Sequence, residues 1–192
     1  MKFFANLSLR QEDRNSPYES GFGAGELWRN IVQGDPTKNI TWPNGSLVAV
    51  TSGGYNPIAS VNGTTGYIYD KTTYINADLG FNWDFSSVIK GLGLDGGLYV
   101  DKGNNFRKTW QKAYILYNYN STTDVYTAQQ FGPKNANLSE NMNQNLGVTT
   151  NIRLKYNRTI NGVHNIAAFV AYEQYESKYD YLSGSRTAFV SS

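Results

Sequence analysis

The chain of 192 residues contains no cysteine and a single histidine. The first absence removes disulfides, thiolate metal sites and cysteine nucleophiles together. With His164 as the lone imidazole, too few nitrogen or sulfur donors remain for a transition-metal centre, so no metal and no cofactor is expected. Charge is scarce as well. Charged residues make up 17% of the chain, below the usual quarter, and a net charge of +2 gives no electrostatic footprint for nucleic acid. No apolar run approaches the roughly 18 residues that a membrane helix needs. The opening MKFFANLSLRQEDRN has neither the apolar centre nor the small-residue cleavage site of a secretory signal, so an export signal is expected outside this sequence. There is no G-x-S-x-G, no phosphate loop and no zinc motif, and an enzyme is not expected.

What the chain does have is aromatic and uncharged polar residues. Tyr (15), Phe (9) and Trp (4) make 15% of it aromatic, beside 19 glycines. The clearest pattern is Tyr74 to Phe85, YINADLGFNWDF. Ile75, Ala77, Leu79, Phe81, Trp83 and Phe85 alternate with Asn76, Asp78, Gly80, Asn82 and Asp84. Side chains of a strand alternate faces, so this segment has one apolar and one polar face along its length. It is longer than the usual globular strand of about 5–6 residues and matches the roughly 9–11 of a membrane-spanning strand. A second clean pattern covers 145–158. Leu146, Val148, Thr150, Ile152, Leu154 and Tyr156 share one face, against Asn145, Gly147, Thr149, Asn151, Arg153, Lys155 and Asn157.

Strands are therefore expected near 2–10, 72–85, 93–102, 143–158 and 164–176, the last apolar on both faces in its interior. Asn161-Gly162 marks a tight turn before it. Between the strands lie two long excursions, 11–70 and 103–142. The first is expected to carry a short helix, GELWRNIVQ, in which Leu27 and Ile31, and Trp28 and Val32, are paired one turn apart, with Trp28 and Ile31 expected to pack. Pro43-Asn44-Gly45, Ser52-Gly53-Gly54 and Asn56-Pro57 are expected turns within it. The second is expected to hold a hairpin, Ala113 to Asn118 returning through Val125 to Phe131.

Two architectures fit these strands. One is a soluble secreted β-sandwich that binds carbohydrate through Trp and Tyr, with the apolar faces of 75–85 and 146–156 packed on each other. The other is a transmembrane barrel, apolar face to lipid and polar face to the lumen. Long and short connections alternate along the chain, as they do where outer loops are long and periplasmic turns short. A sandwich has no reason to put every long connection at one end, and the barrel is the favoured expectation.

The residues with binding chemistry are the aromatics of the excursions: Trp42, Tyr55, Tyr67 and Tyr69 in the first, Trp110, Tyr114, Tyr117 and Tyr119 in the second. Flat rings with a polar tip stack on sugar faces or fill peptide pockets, and are the expected ligand or partner contacts. Trp83, Phe85 and Tyr156 are expected as membrane-interface anchors. Asp78, Asp84, Asp95 and Asp101 lie on polar strand faces. Paired carboxylates can hydrolyse glycosides, but lumen-facing charge is the simpler reading. No catalytic residue is expected, and His164 is read as a structural residue beside its turn.

Several stretches, in collinear order over nearly the whole chain, resemble the SusC/RagA family of TonB-dependent outer-membrane transporters of Bacteroidetes. They are KFFANLSLRQEDRNSPYESGFGAGELWRNIVQGDP (2–36), WPNG (42–45), YNPIASVNG (55–63), INADLGFNWDFSSVIKGLGLDGGLYVD (75–101) and YNRTINGVHNIAAFVAYEQYESKYDYLSGSR (156–186). The resemblance implies an all-β fold, part of a large antiparallel barrel of about 22 strands around an amino-terminal plug. It implies that residues 1–192 are an internal fragment with about five spanning strands and two extracellular loops, the plug domain and signal peptide lying elsewhere. It further implies uptake of glycans or oligopeptides across the cell outer membrane. A SusD-like lipoprotein would serve as lid, the TonB complex would act through the missing plug region, and outer-membrane lipid would surround the wall.

Overall fold

The computed structural model describes residues 1–18, 24–50 and 55–187. Among these residues, seven strands and two helices follow in the order β1 (Lys2–Pro17), α1 (Ala24–Gln33), α2 (Pro57–Val61), β2 (Gly66–Asp84), β3 (Leu92–Gln111), β4 (Tyr114–Asn120), β5 (Val125–Phe131), β6 (Asn137–Ile160) and β7 (His164–Thr187). Five of them form one open antiparallel sheet in the order β1-β2-β3-β6-β7, and β4 pairs with β5 as a separate hairpin. Among the described residues the sheet does not close into a barrel.

Every strand of the large sheet outruns the length that hydrophobic alternation assigns to it. β1 continues from 10 to 17, β2 begins at 66 and not 72, β3 runs on to 111, β6 starts at 137, and β7 reaches 187. The added residues, such as Gln11 to Ser16, are polar on both faces. They are held in the extended state by ladder pairing and not by an apolar face. The excursions shorten accordingly. The helix expected in the first is α1, and the Asn56-Pro57 turn opens a second helix, α2. The expected turn at 52–54 lies outside the described residues.

The register follows from side-chain pairs. Asn6 meets Asp78 between β1 and β2, Asp70 meets Arg107 between β2 and β3, and Asp95 meets Arg153 between β3 and β6. Thr159 donates to Asn165 across the β6–β7 turn. Each contact joins residues of the polar set, so the polar faces of β1, β2, β3 and β6 lie on one side and their alternating apolar residues on the other, whereas β7 is mixed and carries the exposed Lys178–Glu176 ion pair on the latter side. Glycine is needed at both short turns of the sheet, β2–β3 and β6–β7. Gly91 adopts φ 86° where the Asn157 N–H donates to its carbonyl at 2.8 Å, and Asn161-Gly162 takes φ values of 52° and 67°.

The chain divides into two compact units. The first comprises Met1–Glu12, Thr72–Asn105 and Met142–Tyr181. Its only buried residues are Gly80, Gly93, Gly96, Gly103 and Gly147, each overhung by side chains of its own sheet. Both faces of this unit's strands are therefore uncovered, the apolar face with them. Phe3, Leu7, Leu79, Leu98, Ile152 and Leu154 are all exposed. β2 and β6 lie in the same layer, with β3 between them, so their apolar faces do not pack on each other as the sandwich requires.

The second unit comprises Asp13–Lys71, Phe106–Asn141 and Leu182–Ser192, and it holds the buried core. Val48, Ala49, Val50, Tyr55, Ala59 and Leu116 are buried, with Leu47, Tyr114 and Phe131 packed against the cluster of Ala49, Ala59 and Leu116. Asn56 organises this core. Its side-chain oxygen accepts from the N–H groups of Ile58 and Ala59 at 2.9 and 3.2 Å, capping α2, whose first position is Pro57. Its amide nitrogen donates to the Ile40 and Val48 carbonyls at 2.7 and 2.9 Å. All four hydrogen bonds that the amide group can form are made.

Candidate functional site

The hairpin of the second unit carries the most developed aromatic site. The β4–β5 register sets Tyr119 directly opposite Tyr126, with ring centroids 4.9 Å apart. Trp42 comes from the other excursion. The turn at Pro43-Asn44-Gly45 folds its segment back through the Gly45 N–H to Trp42 carbonyl bond. Residues 47–49 then pair with Tyr117 of β4, the Tyr117 N–H donating to Leu47 at 2.8 Å. That brings the Trp42 ring to 5.4 Å from Tyr119 and 5.8 Å from Tyr126, tilted to the first and edge-on to the second. The indole N–H donates to the Tyr117 carbonyl at 2.9 Å. This bond leaves the three rings as a partly exposed aromatic cluster with its indole donor already used.

Tyr119 donates its hydroxyl to Asp124 at 2.9 Å. That hydrogen bond, with desolvation and the carboxylate's charge behind it, pushes the Tyr119 hydroxyl above the ordinary tyrosine value. The neutral phenol persists as a donor and the ring stays fixed over its neighbours.

The other expected contact residues fall into different surroundings. Tyr55 is 8% exposed and belongs to the core, its hydroxyl donating to the Leu27 carbonyl at 3.4 Å. Tyr114 stacks on Phe131 at 6.1 Å against the same core. Tyr67, Tyr69 and Trp110 sit on β2 and β3 and not in loops. Tyr69 donates to Asp13 at 3.1 Å. Tyr117 serves the cluster through its main chain. Trp28 and Ile31, expected to pack, are both exposed on α1, at 67% and 44%, although Ile31 also lines a shallow apolar groove of about 430 Å³ with Ile40, Pro57, Ile58 and Val61. Tyr126, which sequence reasoning passed over, completes the ring cluster. The signal for it was the hairpin itself, since pairing Tyr114 with Phe131 places 119 opposite 126.

On the first unit, the polar strand face is a continuous network. Asp78 accepts from Asn6, Asp101 from Asn76, and Asn105 donates to Thr72 at 2.8 Å. Asp95 takes both Arg153 at 2.9 Å and Lys155 at 2.8 Å. Asp84 caps the short turn, accepting from the Ser86 N–H at 2.8 Å. All four strand carboxylates are thus held by hydrogen-bond donors. Nearer β7 the same face changes character. Tyr179 donates to Asn143 at 3.3 Å, and the Tyr175 ring lies over Gly147. On the apolar face, Phe3, Ala5, Leu79, Phe81, Leu98 and Ile152 surround a shallow depression of about 740 Å³. Trp83 stacks on Phe85 at 4.6 Å. The Phe85 N–H donates to Leu92, and Asn157 bonds to Gly91, so Phe85, Leu92 and Tyr156 form one row at the turn end.

No protein-family model and no curated protein matches the chain. Among the described residues, no group of His, Asp and Glu is arranged to hold a metal ion.

Proposed function

We propose that the chain forms part of the wall and outer loops of a TonB-dependent outer-membrane transporter of the SusC/RagA type. In this reading it takes up glycans or oligopeptides with a SusD-like lipoprotein as lid, energised by the TonB complex through a plug region. The observation that carries the reading is the first unit's sheet. Strands β1, β2, β3 and β6 segregate apolar and polar residues onto opposite faces, yet every residue the unit buries is a glycine. A sheet ordinarily hides its apolar face against a second layer. Where the described residues supply none, hydrocarbon is a solvent that fits, and the row of Trp83, Phe85 and Tyr156 suits the aromatic girdle at its boundary. The Trp42–Tyr119–Tyr126 cluster would meet ligand or lid. The chain would carry out no chemistry, since the strand carboxylates are occupied in pairing.

The test is fractionation of the native protein with heat-modifiable gel mobility. Recovery in the outer membrane, as a band that shifts on boiling, is expected. Recovery in the soluble fraction with no shift overturns the reading.

A further inference from the structure

We propose that Asn161 is a self-modifying site, at which the Gly162 main-chain nitrogen displaces the side-chain amide and leaves aspartate or isoaspartate in the β6–β7 turn. The chain has three Asn-Gly pairs, Asn44-Gly45, Asn62-Gly63 and Asn161-Gly162. Glycine in the second position puts no side chain in the way of a ring that closes through its nitrogen. All three asparagines are exposed, so access to water does not separate them. Hydrogen bonding does. The Asn44 side-chain oxygen accepts from the Ser46 N–H at 3.0 Å and from the Ser46 hydroxyl, and the Gly45 N–H donates to the Trp42 carbonyl at 2.8 Å. The Asn62 oxygen accepts from the Thr64 N–H at 3.0 Å and from the Thr64 hydroxyl, and the Gly63 N–H donates to the Ser60 carbonyl at 3.2 Å. At the third pair, among the described residues, neither the Asn161 side chain nor the Gly162 N–H has a hydrogen-bond partner. An alanine methyl at 162 would meet nothing within 4 Å, so the surroundings leave the ring room to form.

In the step, the Gly162 nitrogen bonds to Cγ of Asn161 and gives up its proton. The Cγ–Nδ2 bond breaks, and ammonia leaves with that proton. The cyclic imide then takes up one water. Breaking its bond at Cγ restores the ordinary main chain, with aspartate in place of asparagine. Breaking the bond at the main-chain carbonyl carbon gives isoaspartate, whose main chain runs through Cβ and Cγ. The β6–β7 turn has no slack for that extra atom. It is closed by the Val163 N–H on the Ile160 carbonyl at 3.2 Å and by Thr159 on Asn165 at 2.7 Å, around two residues with φ of 52° and 67°. Modification therefore loosens the join between β6 and β7. None of this depends on the transport reading.

The test is peptide mass spectrometry of the native, folded protein after incubation in mildly alkaline buffer, with enzymatic methyl labelling to count isoaspartate. Amide loss at Asn161 is expected to run about tenfold faster than at Asn44 or Asn62, the order that one or two retained hydrogen bonds supply. The same chain in denaturant is the control. There the bonds that hold Gly45 and Gly63 are gone, and the three rates should draw together. In the folded protein, hydrogen exchange at the Val163 amide should be faster in the isoaspartate fraction than in the unmodified one. Asn44 or Asn62 reacting as fast as Asn161 in the folded protein, or the same spread of rates in denaturant, overturns the proposal. Equal exchange at Val163 in the two fractions overturns the loosening of the turn.

Discussion

Asn56 donates its side-chain amide to the Val48 carbonyl at 2.9 Å, from a position that is itself fully buried. The same side chain caps α2 and holds Ile40. Asn56→Ala would take the side-chain partner from the Val48 carbonyl and from two helix N–H groups, while the Ile40 carbonyl keeps the Val48 N–H at 3.1 Å. We expect a loss of about 2–4 kcal/mol in local stability. Hydrogen exchange at the Ile58 and Ala59 amides measures it. Asn56→Asp keeps the cap but turns a carboxylate toward two carbonyl oxygens, and should lose at least as much at neutral pH.

The Tyr119–Asp124 pair makes a pH prediction. The hydroxyl's raised value means the folded hairpin favours the neutral phenol. Its contribution is present below the ordinary tyrosine value and is lost as pH climbs through the raised one. Phenolate absorbance should show Tyr119 ionising late, and Asp124→Asn should bring it earlier. An unchanged titration in Asp124→Asn would exclude the hydrogen bond as the cause.

Under the transport reading, Leu79 faces lipid at the middle of its apolar stretch, while Asn76 faces the lumen. Leu79→Arg should then cost about 2–4 kcal/mol in membrane-folded stability. Asn76→Arg should cost far less. Denaturant unfolding from lipid vesicles compares the two. Equal effects would mean that neither face meets hydrocarbon.

Gly91 allows a further test in the β2–β3 connection. Its φ of 86° is strained for any side chain, and a methyl there would run into the Asn157 carbonyl of β6. Gly91→Ala should destabilise the sheet by about 2 kcal/mol or more. Gly162→Ala shares the backbone strain, with φ 67°, but nothing stands within 4 Å of its added methyl. It should therefore cost less. The temperature of the heat-modifiable gel shift ranks the two variants.

The fold was legible where two chemistries alternate. The contrast between Ile75, Leu79 and Phe81 and their polar neighbours marks β2, and Asn161-Gly162 marks the turn into β7. The outer lengths of the strands were not legible. Gln11 to Ser16 offers no apolar residue to set a period, and its extension depends on a neighbouring strand distant in sequence. The β4–β5 hairpin was found because Tyr114, Leu116, Val125 and Phe131 flank a polar turn. Its ring cluster was found only in part. Trp42 and Tyr119 stand out as aromatic loop residues, but joining them needs the pairing of residues 47–49 with Tyr117. Tyr55, one of the aromatic loop residues, lies in the core. A long excursion needs a core of its own, and composition does not say which of its tyrosines fill it.

The strand order has a consequence for how such a sheet is made. Once the β4–β5 hairpin is set aside as an excursion, each strand lies beside the one that precedes it in the chain. Added in the order of synthesis, every new strand finds its template at a single growing edge, and no earlier pair has to open to admit it. The widest loop closure falls at the first step, between β1 and β2. Every later stage of assembly is then a narrower version of the finished sheet.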